Sequence, residues 1–362
     1  MVFFSLSGGA QSFYLFAGTY TGEGSKGIYV YRFNAKTGTA EWISNTDSVS
    51  NPSFLAVSSN AKYLYAVNEN GGTQPGSVSA FSFDRSSGKL SYINSRPSGG
   101  DHPCYISLDK TNQWLLVANY TGGNIGVVPI NKIGALEPLA QLVQHEGSSV
   151  DKSRQEKPHV HAAVFSPDGK YVFAPDLGID KIMIYQFNAS VNEPLVPSSQ
   201  SSFNNTAGSG PRHMTFHPSK KWAYVIEELT GTIQAYYYKN GSLSKKQRLA
   251  THSTSYKGAK GSADIHISPD GKYLYATNRG DANTITTFSI GVDGTLRWRD
   301  YQSTGGMHPR NFMIDPTGNW LLVANRDTDN IVIFKRNKQT GKLTASGNEI
   351  KLSSPVFLMM IK

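Results

Sequence analysis

The sequence predicts an all-β chain closed into a ring of seven four-stranded antiparallel blades. Three observations carry that prediction. First, one pattern recurs along the 362 residues: Pro or His, a short alternating apolar run, a tight turn, an aromatic run, then an acidic or amide residue. Its fullest copy spans 157–176. Copies start at 52, 103, 160, 211, 262, 309 and 355, spaced by 51, 57, 51, 51, 47 and 46 residues. Second, Tyr, Val, Ile, Phe and Thr fall in short alternating stretches broken by Gly, Pro, Asn and Asp, with no long helical periodicity. Third, a period of about 50 residues that contains only strand and turn signals means radial repetition rather than a single sandwich.

Taken in order, the chain opens on residues 13–19, 27–33 and 39–43, which read as strands B, C and D of a blade that lacks its strand A. Residues 355–361 read as an A with no B after it. Joined, the two ends make one blade, which closes the ring and removes the free sheet edges of an open array. In blade two, 54–58 is strand A, 63–68 B, 77–83 C and 90–94 D, with turns at Asn60-Ala61 and Ser86-Ser87-Gly88. The same reading places Tyr105, Trp114, Ile125 and Leu139 on the four strands of blade three, and Ala163, Tyr171, Ile182 and Leu195 on those of blade four. It continues through Met214, Trp222, Ile233 and Leu243, then Ile265, Tyr273, Ile285 and Leu296, then Phe312, Trp320, Ile331 and Leu343. Ser166-Pro167-Asp168-Gly169 and Ser268-Pro269-Asp270-Gly271 are type I turn sequences between A and B. Two polar insertions precede strand A of blades four and six: 144–157, with His145, Glu146, Asp151 and Arg154, and 253–261. Both are placed to overhang one face of the ring.

Composition narrows the function. The 35 glycines and 17 prolines are spread evenly, with no low-complexity linker, so 13–362 reads as a single domain. One cysteine, Cys104, excludes an internal disulfide and a thiolate metal cluster. The formal charge of +9 comes from scattered basic residues, which suits the steering of a small anion and not nucleic acid. No apolar run is long enough to span a membrane. Residues 1–12 stand apart: Val2-Phe3-Phe4-Ser5-Leu6-Ser7 followed by Gly8-Gly9-Ala10 resembles the end of a signal peptide, though without a basic leader. The compartment therefore stays open between cytoplasm and periplasm. A closed ring offers no strand edge for pairing, so a monomer is expected.

In a propeller the start of strand A and the end of strand B lie on one face, around the central channel. Aligning the repeats on their A–B turns puts Ser53, Cys104, His161, Arg212, Ala263, Arg310 and Val356 at one position near the start of A. The B ends align as Gly18-Thr19, Asn68-Glu69, Asn119-Tyr120, Asp176-Leu177, Glu227-Glu228, Asn278-Arg279 and Asn325-Arg326. Positions with only a packing duty hold similar residues; His161, Arg212, Arg310, Glu228 and Arg279 do not. One reading gathers His161, Arg212, Glu228 and Arg279 into a pocket, with Arg310, His159, His213 and His308 nearby as substrate-binding groups. Two guanidiniums suit an anion and a developing oxyanion, and His with Glu supplies acid–base capacity. The competing reading makes these ion pairs between blades, with each His satisfied by backbone. His159-Val160-His161 puts two imidazoles on one strand face but lacks a third metal ligand, so no metal and no cofactor are expected. Asn68, Asn119, Asn278 and Asn325 are expected to close B–C loops, and Trp114, Trp222 and Trp320 to pack between blades. No Gly-X-Ser-X-Gly elbow, phosphate loop or dinucleotide fingerprint is present.

At these residues the chain resembles the seven-bladed propeller lactonases of the bacterial 6-phosphogluconolactonase type, relatives of the fungal carboxy-muconate lactonizing enzyme. The matching motifs are Phe16-Ala17-Gly18-Thr19-Tyr20-Thr21, His159-Val160-His161, Pro211-Arg212-His213, Tyr224-Val225-Ile226-Glu227-Glu228-Leu229, Tyr275-Ala276-Thr277-Asn278-Arg279-Gly280 and His308-Pro309-Arg310-Asn311-Phe312. They run in order over nearly the whole chain. The resemblance implies hydrolysis of a small anionic sugar lactone, 6-phosphogluconolactone above all, without a metal. It carries the family's His, two Arg and Glu onto His161, Arg212, Arg279 and Glu228. Glu227 stands where the family more often has Asn, which leaves open whether Glu227 or Glu228 faces the pocket, and either Glu228 or His161 is the base. A non-catalytic ligand- or protein-binding ring, using the loops 144–157 and 253–261, and a lactonizing cycloisomerase are the alternative readings.

Overall fold

The structure, a computed structural model, describes residues 11–22, 24–47 and 49–362. The leader-like stretch 2–10 lies outside the described residues. Among these, the chain forms seven four-stranded antiparallel sheets arranged as the repeat predicts. Six are sequential. The seventh pairs Ser12–Thr19 on one side with Tyr29–Asn34 and on the other with Pro355–Ile361, so the C-terminal strand is the innermost strand of the first blade.

Strand chemistry follows from position in the blade. The second strands are buried along almost their whole length, as in Trp114–Asn119, Trp222–Glu227 and Trp320–Asn325, because both faces are covered by neighbouring blades. The outermost strands meet water, and Ser242–Ala250 accordingly alternates with Lys245, Gln247 and Arg248. The apolar interior is divided among seven clusters, each shared by two adjacent blades. Stability is therefore built from blade-to-blade interfaces rather than from one central core.

One contact repeats around the ring. The aromatic residue opening strand B lies on the C–D turn of the next blade. Trp222 covers Gly294, Tyr171 covers Gly241, Tyr273 covers Gly341 and Trp320 covers Gly38. The expected packing role of the tryptophans is thus met, and two are also anchored by hydrogen bonds: Trp320 Nε1 donates to Ala35 O at 2.8 Å and Trp114 Nε1 to Ala189 O at 3.1 Å.

Strand A departs from a regular strand where the function is expected. In blades three, five, six and seven its register against strand B slips just after the first residue, between Pro103 and Tyr105, Pro211 and Met214, Ser262 and Ile265, and Pro309 and Asn311. A bulge lets two consecutive side chains face the channel, which a flat strand forbids. Arg212 and His213 in blade five, and Val356 and Phe357 in blade one, where the register also slips, line one central cavity in this way, together with Ser53 and Phe54 of blade two. In blade four the regular strand shrinks to Val164–Phe165, short of the expected length. Pro175 on the partner strand has no N–H to continue the ladder, leaving one isolated bridge at Val160 and Asp176.

Beneath the mouth the channel is filled. Phe54 packs on Tyr105 and on Phe357, each with ring centres 4.1 Å apart, and His213 lies edge-on to Phe54 and Tyr105. The mouth is consequently a blind pocket and not a pore.

Candidate active site at the channel mouth

One backbone hydrogen bond per blade builds the mouth. The N–H of Tyr20, Glu69, Tyr120, Leu177, Glu228, Arg279 and Arg326 donates to the carbonyl of Ser354, Asn51, His102, His159, Gly210, Gly261 and His308, at 2.7–3.1 Å. These seven residues form the rim. In blade one the rim residue is therefore Tyr20, one place beyond the expected Thr19. Thr19 instead takes the buried position that an amide fills in four other blades, and Asp176 and Glu227 in the remaining two, and donates Oγ1 to Gly27 O at 2.7 Å. Asn68, Asn119, Asn278 and Asn325 donate to the carbonyls of Ser50, Ser98, Thr251 and Thr304, on the segments arriving from the preceding blade, and so fasten blade to blade. Three of them also bridge the B–C loop, through side chains rather than backbone: Asn119 donates to Asn124, Asn278 to Thr284 and Thr286, and Asn68 accepts from Ser77 and Ser79.

Glu227 and Glu228 point opposite ways, as neighbours at the end of a strand must. Glu227 faces the blade, where it accepts from Asn205, Thr232 and Arg248. Glu228 faces the channel and is enclosed by three guanidiniums: Arg154 at 2.7 Å on Oε1, with Arg279 at 2.9 Å and Arg212 Nε at 3.0 Å on Oε2. Burial alone would raise the Glu228 carboxyl, but Arg279, Arg212 and Arg154 outweigh it and hold the group well below the usual carboxylate range. Arg212 is almost fully buried. Burial and the neighbouring Arg279 lower its guanidinium to about 10, so it stays charged at neutral pH. Its Nη1 donates to Ala263 O and lies 3.2–3.3 Å from the His213 ring nitrogens.

His161 is buried on the same wall. Burial first, then Arg212, His213 and Arg310, hold its pKa well below 6.5, so the imidazole is neutral. Nδ1 lies 3.6 Å from Cys104 Sγ, and Nε2 has no hydrogen-bond partner among the described residues. Tyr120 stands between His161 and His159, edge-on to the first at 5.4 Å and stacked on the second at 4.4 Å. His159 itself is engaged by Tyr120 O at 3.1 Å and by Glu156 at 3.2 Å. The two imidazoles do not converge, and no group of three metal donors is gathered among the described residues.

Across the mouth a second carboxylate completes the pocket. Glu69 Oε2 accepts from Tyr20 Oη at 2.9 Å and from Ser53 Oγ, and Arg310 Nη2 lies 3.3–3.4 Å from both oxygens. The Arg310 guanidinium sits 5.3 Å from the Tyr20 ring centre. His308 is at the rim with a positive φ of 59° and its Nδ1 3.4 Å from Asp327. Burial, Arg279 and Arg326 lower it to about 3. His213 belongs to the layer below: its Nδ1 meets Asp264 Oδ1 at 2.8 Å, and Asp264 also holds His266 and Asn311.

Of the residues expected from sequence, His161, Arg212, Glu228 and Arg279 line one wall together, with Arg310 facing them. His213 supports Arg212 from beneath, His308 edges the rim, and His159 is turned onto Tyr120. Sequence reasoning passed over Arg154, Glu69, Tyr20 and Tyr120 as site residues. Arg154 lies in the insertion foreseen to overhang this face, and Glu69 holds the repeat position of Glu228. The wider depression on the opposite face, between blades two and three near Tyr63 and Trp114, has Lys132 as its single charged lining residue and no acid–base pair.

Residues 14–360 match the model of the family described as lactonase, 7-bladed beta-propeller. The chain is 39% identical to the 6-phosphogluconolactonase of Formosa agariphila over 96% of this chain and 99% of that one. It is 35% identical to the 6-phosphogluconolactonase of Bacillus subtilis, over 94% and 96%. The solved structure of the Pseudomonas aeruginosa periplasmic gluconolactonase PpgL superposes with a TM-score of 0.93 at 34% identity, covering 97% of this chain and 99% of that one. A ring of seven blades with an arginine-lined blind mouth, matched along its length, defines a propeller lactonase. The chain belongs to that family.

Proposed function

We propose that the protein hydrolyses a sugar lactone, 6-phosphogluconolactone in the first instance, as a monomer and without a metal ion. The observation that carries this reading is the placement of a neutral imidazole with a free Nε2, His161, and an arginine-clamped carboxylate, Glu228, beside the same buried Arg212 at the channel mouth. Relatives named 6-phosphogluconolactonase and gluconolactonase support the substrate class.

His161 Nε2 takes a proton from water as the water oxygen attacks the lactone carbonyl carbon. The carbonyl oxygen becomes an oxyanion facing Arg212 and Arg279, which are preorganised because Glu228 already fixes both. The tetrahedral intermediate then breaks its bond to the ring oxygen. That oxygen receives the proton from His161, and the carboxyl group so formed releases its remaining proton to solvent, leaving a hydroxy acid as carboxylate. Glu228 is a poor base in this setting, since three guanidiniums stabilise its charged form. Its role is to hold the arginines. A phosphate dianion entering the mouth offsets the cationic field and raises the proton affinity of His161, so the substrate itself improves the base.

Hydrolysis of 6-phosphogluconolactone and of gluconolactone, corrected for spontaneous opening and run with EDTA, tests the reading. Fast, EDTA-insensitive turnover that prefers the phosphorylated substrate is expected. His161→Asn should lower kcat by about 100-fold or more, the usual worth of a general base. Background rates on both lactones would overturn the proposal in favour of a binding ring.

A further inference from the structure

We infer that Glu69 reads the hydroxyl groups of the substrate, so that the pocket selects polyhydroxylated ligands over bare ones of the same charge. The choice of a sugar acid or lactone as ligand rests on the proposed function above; the assignment of Glu69 rests on separate geometry. Glu69 occupies in blade two the rim position that Glu228 occupies in blade five, fixed by the same backbone hydrogen bond. Their surroundings differ. Both oxygens of Glu228 are taken by guanidiniums at 2.7–3.0 Å. On Glu69, Tyr20 and Ser53 both donate to Oε2, and Oε1 is left with Arg310 alone among the described residues, at 3.4 Å.

A structural ion pair closes to about 2.7–2.9 Å. The Glu69–Arg310 contact is stretched beyond that, and one nitrogen is shared between two oxygens. Such an arrangement leaves the carboxylate able to accept from an incoming donor. A carboxylate only accepts, and Oε1 keeps lone-pair capacity for a neutral hydroxyl donor of the ligand. With the arginine wall opposite, a ligand spanning the mouth would place its charged or reacting end at Arg212 and Arg279 and its hydroxyls at Glu69. An analogue lacking hydroxyls would leave Oε1 unpaired once water is displaced, the situation in which a site rejects the wrong ligand most strongly.

Titration calorimetry with two probes tests this: 6-phosphogluconate, and 6-phosphohexanoate, which has the same charged ends and no hydroxyls. Wild-type protein is expected to bind the hydroxylated probe about tenfold or more tightly, and Glu69→Gln to bring the ratio close to one. Removing a negative charge from the pocket tightens both anions alike, which the ratio cancels. A purely structural Glu69 would move the melting temperature and leave the ratio intact, and that result overturns the inference. Should the Gln variant fail to fold, Glu69→Asp, which withdraws the oxygens by one methylene, must lower the ratio, and an unchanged ratio again overturns it. Because binding is read, the two proposals fail separately. Loss of lactone turnover with the ratio preserved refutes the catalytic reading alone, and full turnover with a ratio of one in wild type refutes the role of Glu69 alone.

Discussion

Glu228 shows how one side chain organises the site. Three guanidiniums converge on its two oxygens in a buried pocket, so its charge neutralises a repulsion that Arg212 and Arg279 would otherwise feel directly. Replacing it by Gln leaves those cations without a counter-charge. Breaking a buried pair in this way costs about 3–5 kcal/mol. Glu228→Gln is therefore expected to melt well below wild type and to lose most turnover through misplaced arginines. Inorganic phosphate should raise its melting temperature more than it raises that of wild type, because an anion bound to the native state alone substitutes for the missing carboxylate. Equal shifts in the two proteins would show that the arginines do not form an anion site. Residue identity at this scale was legible because repeats make departures visible: His161, Arg212, Glu228 and Arg279 each break the pattern of their ring. Tyr20 was hidden by a one-residue offset in a blade with no strand A of its own beside it in sequence. Arg154 was hidden because it lies in an insertion outside the strand repeat, so no aligned position in the other blades marks it as a departure.

At the scale of elements, the strands and turns follow directly from local sequence, and what was not legible is how they meet. Continuous apolar and aromatic runs located the second strands closely, since both of their faces are buried. The bulge at the start of strand A leaves no compositional mark, because it is a consequence of turning two side chains into the channel. The truncation in blade four did leave one, Pro175, whose effect appears only when the partner strand is known. The aromatic-on-glycine contact between blades gives a sharp test. Gly38 has φ of 72°, and a Cβ there would approach the Trp320 ring to 2.4 Å. Both the left-handed backbone and the overlap oppose any side chain, so Gly38→Ala is expected to destabilise by about 2–4 kcal/mol. The contact lies far from the mouth, and kcat of the folded protein should be unchanged. A fall in kcat without a fall in stability would contradict that division between rim and interface. The insertion 144–157 makes the opposite kind of prediction. Arg154→Met should raise KM for an anionic lactone several-fold with little loss of stability, because Arg154 is half-exposed and Arg212 and Arg279 remain on Glu228.

The whole ring integrates these groups into its response to acid. Burial and neighbouring cations hold His213 and His252 at about 4 and His308 at about 3 in the folded state, against about 6.5 when unfolded. The unfolded chain thus binds more protons, and stability falls as pH drops from 6.5 towards 4. His161, also held well below 6.5, acts in the same sense, and His266, raised by Asp264, opposes them as one group against four. Below about 4.5, Glu228 and Asp264, both depressed, add a further loss as they are forced to protonate. Melting temperature should therefore be flat between about pH 7 and 8 and decline in acid, less steeply in His252→Gln.

Ring closure decides whether that response is cooperative. Pro355–Ile361 pairs with Ser12–Thr19 from Tyr14 to Thr19, places Leu358 in the cluster shared with blade seven and Phe357 in the one shared with blade two, and supplies the Ser354 carbonyl that fixes Tyr20 at the rim. Removing residues 352–362 exposes one long apolar strand edge, opens two of the seven interfaces and leaves Tyr20 without its backbone anchor. A strand edge of that kind invites pairing with a second chain. The truncated protein is expected to self-associate on size exclusion and to unfold in urea with a lower midpoint and a smaller m-value, since the two opened interfaces are already partly exposed. Lactone turnover should fall as well, through Tyr20 and Glu69, even in any fraction that remains monomeric. A monomeric, fully active truncation with an unchanged urea transition would mean that the other six blades hold the mouth in shape without the closing strand.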